Sequence, residues 1–354
     1  MKIFSLTDNM PTSLPRGSAD FLLAASVTHT CDIKGITQAG LPGKMYLTPT
    51  LDAEFLSTGK VFSLEDLAET ATGIPTPGLL TRAVHTLAPF ETVKILDLGL
   101  EVKPQQCDLL TFDIETAPSI ASENSFDAQA VFEKGRAFGR SYQPQGDYVI
   151  VGESTPAGTT TAQAAVHALG LNVTGLFASS FKNAPTQIKQ ATIDKALSKI
   201  TSNMGLFEKL SHTADNTLMF VAGFVLEASH QSEIVLAGGT QMAAALLIAD
   251  AIASRDSIYH DPRHITLCTT RWIAQDGVSN INALLSQLNF RAKACYADFL
   301  YEDANIPVLK LYDEGEAKEG VGAGGALAYG YMQGLTQQEI TTEVERSMMA
   351  MAGS

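Results

Sequence analysis

Residues 313–329 combine residue types that could take a proton from a bound ligand. The segment reads DEGEAKEGVGAGGALAY, so four acids run into a glycine-rich turn and then into an apolar helix. The acids are Asp313, Glu314, Glu316 and Glu319. Glycines such as Gly320 and Gly322 let the backbone adopt positive φ and approach a ligand closely. Because a carboxylate repels phosphate, Glu319 at the edge of this turn predicts a catalytic base in a transferase or lyase rather than a phosphate cradle.

Two other turns place Gly and Thr between an apolar run and a helical stretch. Residues 152–161 read GESTPAGTTT, and residues 237–240 read AGGT. Each turn opens a helix whose first N–H groups and positive dipole end could hold a phosphate. An ordinary cap by a threonine explains the first turn equally well, and tight packing explains the second. The local pattern leaves both interpretations open.

The glycines after Glu319 also match a dinucleotide-binding motif in form. Gly320, Gly322 and Gly325 have the GxGxxG spacing. An acidic loop precedes them instead of a clear strand, and no second strand with an acidic end follows. The context therefore disfavours a nicotinamide cofactor, and we expect no cofactor.

Other chemically active residues lack the neighbours that a site needs. His260 and His264 have helical ligand spacing, but Pro262 disfavours a regular helix, so we expect no metal site. No serine has a nucleophile signature such as GxSxG. Lys189 lies at the start of an amphipathic stretch, where lysines are usually solvated.

Length and charge exclude some classes of protein. The chain has 354 residues, of which 45% are hydrophobic and 18% are charged, enough to bury a full core. We expect a single α/β domain over residues 1–354. The formal net charge of -14 and the pI of about 4.9 disfavour nucleic acid as a partner.

Cysteine usage and apolar runs predict a compartment. The four cysteines form no CxxC pair, which favours a reducing cytoplasm over a disulfide framework. The N-terminal residues lack the apolar run of a signal peptide. The apolar run at residues 21–27 is too short to span a bilayer. We therefore expect a cytoplasmic protein with no membrane partner.

The order of apolar runs and helical stretches predicts the fold. Strands are predicted at residues 93–98, 148–151, 233–236, 264–268, 292–296 and 308–311, and helices at residues 159–169, 241–253 and 336–351. This alternation predicts an α/β fold: a three-layer, Rossmann-like, mainly parallel sheet flanked by helices, with a small subdomain from the terminal segments.

The same pattern predicts three parts of the chain and the position of a ligand-binding site. Residues 1–90 are predicted as loops and short helices, residues 91–330 as the Rossmann-like core, and residues 331–354 as a C-terminal helix. Ligands bind beyond the carboxyl ends of parallel strands. We therefore expect the three Gly-rich segments at 152–160, 237–240 and 313–325 to form one composite site.

Several blocks in chain order, over about residues 50–330, resemble the nicotinate-nucleotide–dimethylbenzimidazole phosphoribosyltransferase family. They are VGESTPAGTTTAQAA, NVTGLFASSFKNAPTQIKQATIDKAL, IVLAGGTQMAAALLIA and KEGVGAGGALA. The last is similar to the family's G-E-G-T-G-A-A-L-A and places Glu319 on the family's catalytic glutamate. Upstream, LDAEFLSTG and GIPTPGLLTRA resemble the segments with which the family binds its benzimidazole base.

The resemblance implies transfer of ribose 5-phosphate from nicotinate mononucleotide to a benzimidazole-like base, for assembly of the lower ligand of cobalamin, by a homodimer without metal or cofactor. Glu319 would be the base. The other residues implied to bind substrate are Glu153, Thr159, Thr160, Thr174, Gly175, Ser179, Ser180, Lys189, Gly238, Gly239, Thr240 and Gly320, with Asp52, Glu54 and Pro77 near the accepting base.

Two departures from the family pattern leave the substrate open. LFASS replaces the family's R-G-T-G, so phosphate binding would depend more on Ser179, Ser180 and helix N-termini. DAEF, at residues 52–55, replaces A-D-H-G, so the acceptor could be a benzimidazole or a purine such as adenine. A nucleotide-binding protein that has kept the fold without catalysis is the remaining alternative.

Overall fold

The structure, a computed structural model, describes residues 2–7, 14–64 and 73–352. Over this part of the chain, eight strands form one sheet in the order β1-β8-β7-β6-β5-β2-β3-β4. The strands are β1 (Ile3–Ser5), β2 (Ala19–Ala25), β3 (Thr92–Asp97), β4 (Leu109–Thr111), β5 (Tyr148–Ser154), β6 (Ile234–Ala237), β7 (Ile265–Thr270) and β8 (Lys293–Ala297). All neighbours pair in parallel except β1 and β8.

Helices cover both faces of this sheet. They are α1 (Thr48–Thr58), α2 (Gly78–Leu87), α3 (Ala128–Ser141), α4 (Gly158–Ala168), α5 (Thr186–Leu197), α6 (Leu206–Thr213), α7 (Asn216–Ala228), α8 (Thr240–Asp256), α9 (Arg271–Ala274), α10 (Ile281–Leu285), α11 (Ala323–Met332) and α12 (Gln337–Ala352). None of the helices in the described ranges is both long and apolar enough to cross a membrane.

Alternating strand side chains enter two separate cores. In β2, Leu22 and Ala24 pack into a core with α3, α4, α7 and α8. Phe21 and Leu23 point to the opposite face and pack with α1, α2, α11 and α12. Because successive strand residues face opposite sides, both faces are buried. This arrangement confirms the predicted three-layer α/β fold.

The structure corrects two parts of the strand prediction. The segment predicted as a strand at 308–311 forms the 3-10 helix Pro307–Leu311, which begins with a proline and buries only Leu309. β2 was missed because its sequence, ADFLLAA, is rich in helix-favouring Ala and Leu. Burial on both faces in the centre of the sheet overrides that propensity. Residues 1–90 therefore contribute a central strand besides loops and short helices.

The proposed division of the chain covers some undescribed positions. Residues 1, 8–13 and 65–72, within the N-terminal part, and residues 353–354, at the C-terminal end, lie outside the described residues. Helix α12 packs against α2, so the C-terminal helix lies against the N-terminal part of the chain. The boundaries at residues 90 and 330 stay predictions.

Glycines set the spacing of the α3–α7 helix pair. A Cβ added at Gly135 would lie 2.1 Å from the Phe220 carbonyl oxygen, and one at Gly223 would lie 2.1 Å from the Phe132 carbonyl oxygen. A backbone carbonyl oxygen within a helix cannot move aside as the end of a flexible side chain can. The two helices therefore pack through contacts that only glycine permits.

We expect Gly135→Ala to lower the free energy of unfolding by about 1–3 kcal/mol, because the added methyl group forces the helices apart. Urea denaturation of the two proteins measures the difference. Gly277→Ala is the matched control, since a Cβ at Gly277 meets nothing within 4 Å. Equal destabilisation by both changes would contradict the packing argument.

Candidate active site

A cleft of about 930 Å³, including its open mouth, lies beyond the carboxyl ends of β5 and β6. Its walls come from residues 37–40, 74–77, 153–159, 178–180, 239–241 and 317–321, with single residues from other segments. The three Gly-rich turns singled out in the sequence therefore meet in one place. This is the position at which open parallel sheets bind their ligands.

Glu319 projects into this cleft from the turn before α11. Its Oε2 accepts hydrogen bonds from the Thr270 N–H at 2.9 Å and from the Thr269 hydroxyl at 3.1 Å. Its Oε1 accepts from the N–H groups of Gly320 and Gly324, at 3.2 and 3.1 Å. Burial raises the pKa of Glu319 to about 7, although these bonds favour the charged form. A carboxyl with this pKa can gain and lose a proton near neutral pH.

Two more buried carboxyl groups lie in the same cleft. Burial, and then the charge of Glu319, raise the pKa of Glu153 to about 8. Burial also raises the pKa of Asp52 to about 6, against hydrogen bonds from the hydroxyls of Ser154 at 2.6 Å and Thr76 at 2.7 Å. Three acids crowded in a space of low dielectric cannot all ionise cheaply. They therefore hold protons at a pH where exposed acids are charged.

Lys189 supplies a buried positive charge on another side of the cleft. It is 6% exposed, and its Nζ donates to the Ala178 carbonyl oxygen at 3.1 Å and lies 3.5 Å from Thr159 Oγ1. Burial, and then the charge of Lys318, lower the pKa of Lys189 to about 8. Both contacts are to neutral oxygens, so the site favours an anion that would balance the charge.

Two helix N-termini meet beside this lysine. α4 begins after Ala157, which has a left-handed φ of 65°, and α8 begins after Gly239; neither start has a side-chain cap. The Gln241 side chain lies against Gly158, where an added Cβ would be 2.1 Å from Gln241 Oε1. Within the described residues, Gln241 Nε2 is buried without a hydrogen-bond partner. At the start of α4 the N–H groups of Gly158 and Thr160 already bond to carbonyl oxygens of the preceding turn, so the start of α8 and the remaining α4 N–H offer the site for an anion.

The structure brings most of the predicted site residues together. Those that line the cleft are Asp52, Pro77, Glu153, Thr159, Ser179, Ser180, Gly239, Thr240, Glu319 and Gly320. Lys189 does not line the cleft itself, but its ammonium group lies within 3.5 Å of the Thr159 hydroxyl. The acids, the lysine and the two helix starts therefore surround one space.

Glu54 lies outside the cleft, although the resemblance implies contact with the base. Its Oε2 accepts from the N–H of Phe62 at 2.7 Å, and its Oε1 accepts from the N–H of Gln105 at 3.0 Å. The side chain is fully buried. Its oxygens are thus used to hold two loops to α1.

Four other predicted residues are also outside the cleft lining. Thr174 and Gly175 lie on an exposed turn. Thr160 is buried, and Gly238 packs against Met242, whose Cγ would lie 2.7 Å from an added Cβ. Glycine at 238 therefore serves the packing of α8 against its preceding turn.

Several cleft residues were missed by the sequence prediction. Gln38, Thr76, Gln241 and Lys318 all line the cleft. Gln38 and Thr76 lie in segments with no regular pattern, which only the fold brings to the site. Gln241 and Lys318 were accessible to sequence reasoning, since each is adjacent to a residue that was predicted.

Comparisons with known proteins agree with this fold. Residues 81–265, just over half of the chain, match the model of a protein family described as "Phosphoribosyltransferase". A UPF0284 protein of Archaeoglobus fulgidus is 34% identical over 344 residues, covering 96% of this chain and 95% of the relative. A UPF0284 protein of Sulfolobus acidocaldarius is 33% identical over 338 residues, covering 93% and 94%.

Two solved structures from Thermus thermophilus share the fold. CobT matches 94% of this chain and 85% of its own, with a TM-score of 0.58 and 17% identity. A nicotinate-nucleotide-dimethylbenzimidazole phosphoribosyltransferase matches 95% and 86%, with a TM-score of 0.57 and 18% identity. The fold is thus that of a Rossmann-like α/β protein. The chain belongs to the phosphoribosyltransferase family, in a distant branch with the archaeal UPF0284 proteins.

We expect the stability of the protein to fall as the pH rises from about 4.5 to 8, in part because of Glu153. Folding raises its pKa from 4.5 to about 8, so the folded state binds this proton more tightly than the unfolded chain. Between these values only the unfolded chain releases the proton, which favours unfolding. Glu153→Gln removes this contribution, so its loss of stability between pH 5 and pH 8 will be smaller.

Urea denaturation at pH 5 and pH 8 measures this difference. Glu302→Gln, which changes an exposed carboxyl group, is the control and will keep the wild-type pH dependence. The same change with pH in wild type and Glu153→Gln would contradict the assigned pKa shift.

Proposed function

We propose that this protein transfers ribose 5-phosphate from nicotinate mononucleotide to an aromatic nitrogen base. The observation that carries this proposal is that the acid Glu319, which lines the cleft, lies near an anion site formed in and behind the cleft wall. That site consists of Lys189 and the uncapped starts of α4 and α8. An anion site holds a phosphate, and an acid near neutral pKa accepts a proton from the attacking base.

The phosphate would lie between Lys189 and the two helix starts. The hydroxyls of Thr159 and Thr240 and the serines at 179 and 180 line the same part of the cleft. Thr240 Oγ1 already accepts from the Ala178 N–H at 3.2 Å, which ties the serine segment to α8. Preorganised donors of this kind would fix the ribose without further ordering on binding.

The reaction itself needs one proton acceptor. The pyridinium nitrogen of the donor leaves the ribose C1 as a neutral ring nitrogen, so the leaving group needs no strong acid. A nitrogen of the accepting base attacks C1 from the opposite face, and its neighbouring N–H loses a proton to Glu319. The hydrogen bonds from Thr270 and Gly324 hold the carboxylate in place for this transfer.

The accepting base would lie against the part of the cleft formed by the N-terminal segments. Pro77 offers an apolar surface there, and Asp52, Thr76 and Gln38 offer polar groups. This mixed lining suits a flat base with a polar edge, and both benzimidazoles and purines have such an edge. The base-binding role of residues 1–90 is part of this proposal.

The family comparison supports a biological setting for the reaction. The name of one structural neighbour includes dimethylbenzimidazole phosphoribosyl transfer. We therefore propose formation of an α-ribazole phosphate-type product for the lower ligand of cobalamin, in the cytoplasm and by a homodimer. Met349 on α12 is 62% exposed, which is compatible with a contact between subunits.

Release of nicotinate from nicotinate mononucleotide tests the proposal. The purified protein is incubated with the nucleotide alone and with dimethylbenzimidazole, hydroxybenzimidazole or adenine. We expect release that depends on a base, together with a new ribosylated base. Tight nucleotide binding without release for any base would instead support a non-catalytic nucleotide-binding protein.

Glu319→Gln is expected to lower turnover by about 10²–10⁴-fold, because the amide cannot accept the proton. Nucleotide affinity should stay near that of the wild type. In the wild type, turnover should rise with pH through about 7, as the Glu319 carboxyl loses its proton. Initial rates from pH 5.5 to 8.5, with isothermal titration of the nucleotide, measure both quantities.

Glu314→Gln is the matched control for this change, since Glu314 lies in the same loop but is 55% exposed at its side chain. Its turnover and pH profile should match the wild type. Near wild-type turnover in Glu319→Gln would overturn the assignment of the base.

A further inference from the structure

Lys318 is a buried lysine directly before the proposed base. In the block that resembles the family, G-E-G-T-G-A-A-L-A, a glycine stands in its place. Its side chain is 3% exposed, and its Nζ lies 3.1 Å from both carboxylate oxygens of Asp276, which is 6% exposed. A buried ion pair gives little net stability compared with apolar residues of similar size. The presence of this pair beside the cleft therefore calls for another reason.

The position of Lys318 connects it to the anion site. It lines the cleft, and its neighbour Ala317 donates its N–H to the Ser180 carbonyl oxygen at 3.0 Å. The Thr270 hydroxyl donates to the Lys318 carbonyl oxygen at 2.6 Å, which holds the backbone of this turn on β7. Lys318 also adds to the positive field at Lys189. The two ammonium groups therefore act on the same region of the cleft.

Within the described residues, only one of the two ammonium groups of this region has an ion-pair partner. Lys189 and Lys318 bring two positive charges, and Asp276 pairs with only one of them. A phosphate monoester carries between one and two negative charges near neutral pH. An ammonium group has three N–H donors, so Lys318 can keep its contact with Asp276 and still donate to a phosphate oxygen.

We propose that Lys318 is a second cation of the phosphate site, with Asp276 as the positioning residue that holds its ammonium group. The proposal rests on the proposed function for the identity of the substrate. This chain has LFASS where the family pattern has R-G-T-G. Lys318 would supply part of the phosphate binding that this replacement leaves unassigned. Lys318 would then bind the phosphate while the adjacent Glu319 serves the reacting base.

Binding of ribose 5-phosphate tests this proposal without any need for turnover. Lys318→Met should weaken ribose 5-phosphate binding about tenfold, the value of one charge-assisted hydrogen bond, in isothermal titration. Lys318→Arg should retain most of the affinity. The control, Lys182→Met, removes a nearby lysine that is 48% exposed and pairs with Glu314 on the surface, and it should have no effect.

Lys318→Met alone leaves Asp276 buried without a partner, which endangers folding. The double change Lys318→Met with Asp276→Leu replaces the pair by apolar side chains and keeps the test valid. It should fold and show the same loss of ribose 5-phosphate affinity. Wild-type affinity in this folded double variant would overturn the proposal and leave the ion pair a structural one.

Matched nucleotides show which anionic group Lys318 contacts. Lys318→Met should weaken nicotinate mononucleotide and nicotinamide mononucleotide equally, and should leave nicotinate riboside, which lacks the phosphate, unchanged. A loss confined to the two nicotinate compounds would place Lys318 at the pyridine carboxylate and overturn the proposal. Absence of nicotinate release in the wild type would contradict the proposed function alone, since ribose 5-phosphate binding measures the phosphate site separately.

Discussion

The close contact between the turn before α11 and the end of β5 is the constraint on which the cleft depends. A Cβ added at Gly152 would lie 3.0 Å from the Gly322 Cα, so only glycine allows the two backbones to approach this closely. The Val321 N–H donates to the Glu153 carbonyl oxygen at 2.8 Å across the same contact. As a result, Glu153 and Glu319 lie in the same cleft, and the charge of Glu319 contributes to the raised pKa of Glu153.

Burial then sets the pKa values of the ionisable groups at the cleft. On one side, burial raises the pKa values of the acids at 52, 153 and 319 to about 6, 8 and 7. On the other side, Lys189 and two uncapped helix starts favour an anion. These arrangements destabilise the protein on its own, since buried charges and unpaired donors cost free energy. The phosphate of a ligand would pair with the buried positive charge and the N–H groups, and a basic nitrogen would accept a proton from an acid. Binding of such a ligand would therefore offset the free-energy cost of this site.

This chain shares its fold with the solved structures, whereas several of its sequence segments depart from the family pattern. At 17% identity the sheet and helices of CobT are still recognisable in this chain. The sequence resemblance places the proposed base, Glu319, on the glycine-rich turn before α11, whereas the segments proposed to bind phosphate and base depart from the family pattern. Lys318 and the DAEF segment at 52–55 are two such differences. Lys318 lies in the turn before α11 and residues 52–55 lie in α1, so both differences are outside the sheet.

The sequence alone determined the α/β class and the three Gly-rich turns, because strand–turn–helix order and glycine patterns depend on neighbouring residues. Glu319 was singled out among four acids by the family resemblance, and its role stays a prediction. The sequence did not determine that Ala19–Ala25 is a central strand, since burial on both faces overrides the helical propensity of Ala and Leu. Nor could it show that Glu54 holds loops or that Lys318 pairs with Asp276. Those outcomes depend on contacts between residues far apart in the chain, which only the tertiary structure brings together.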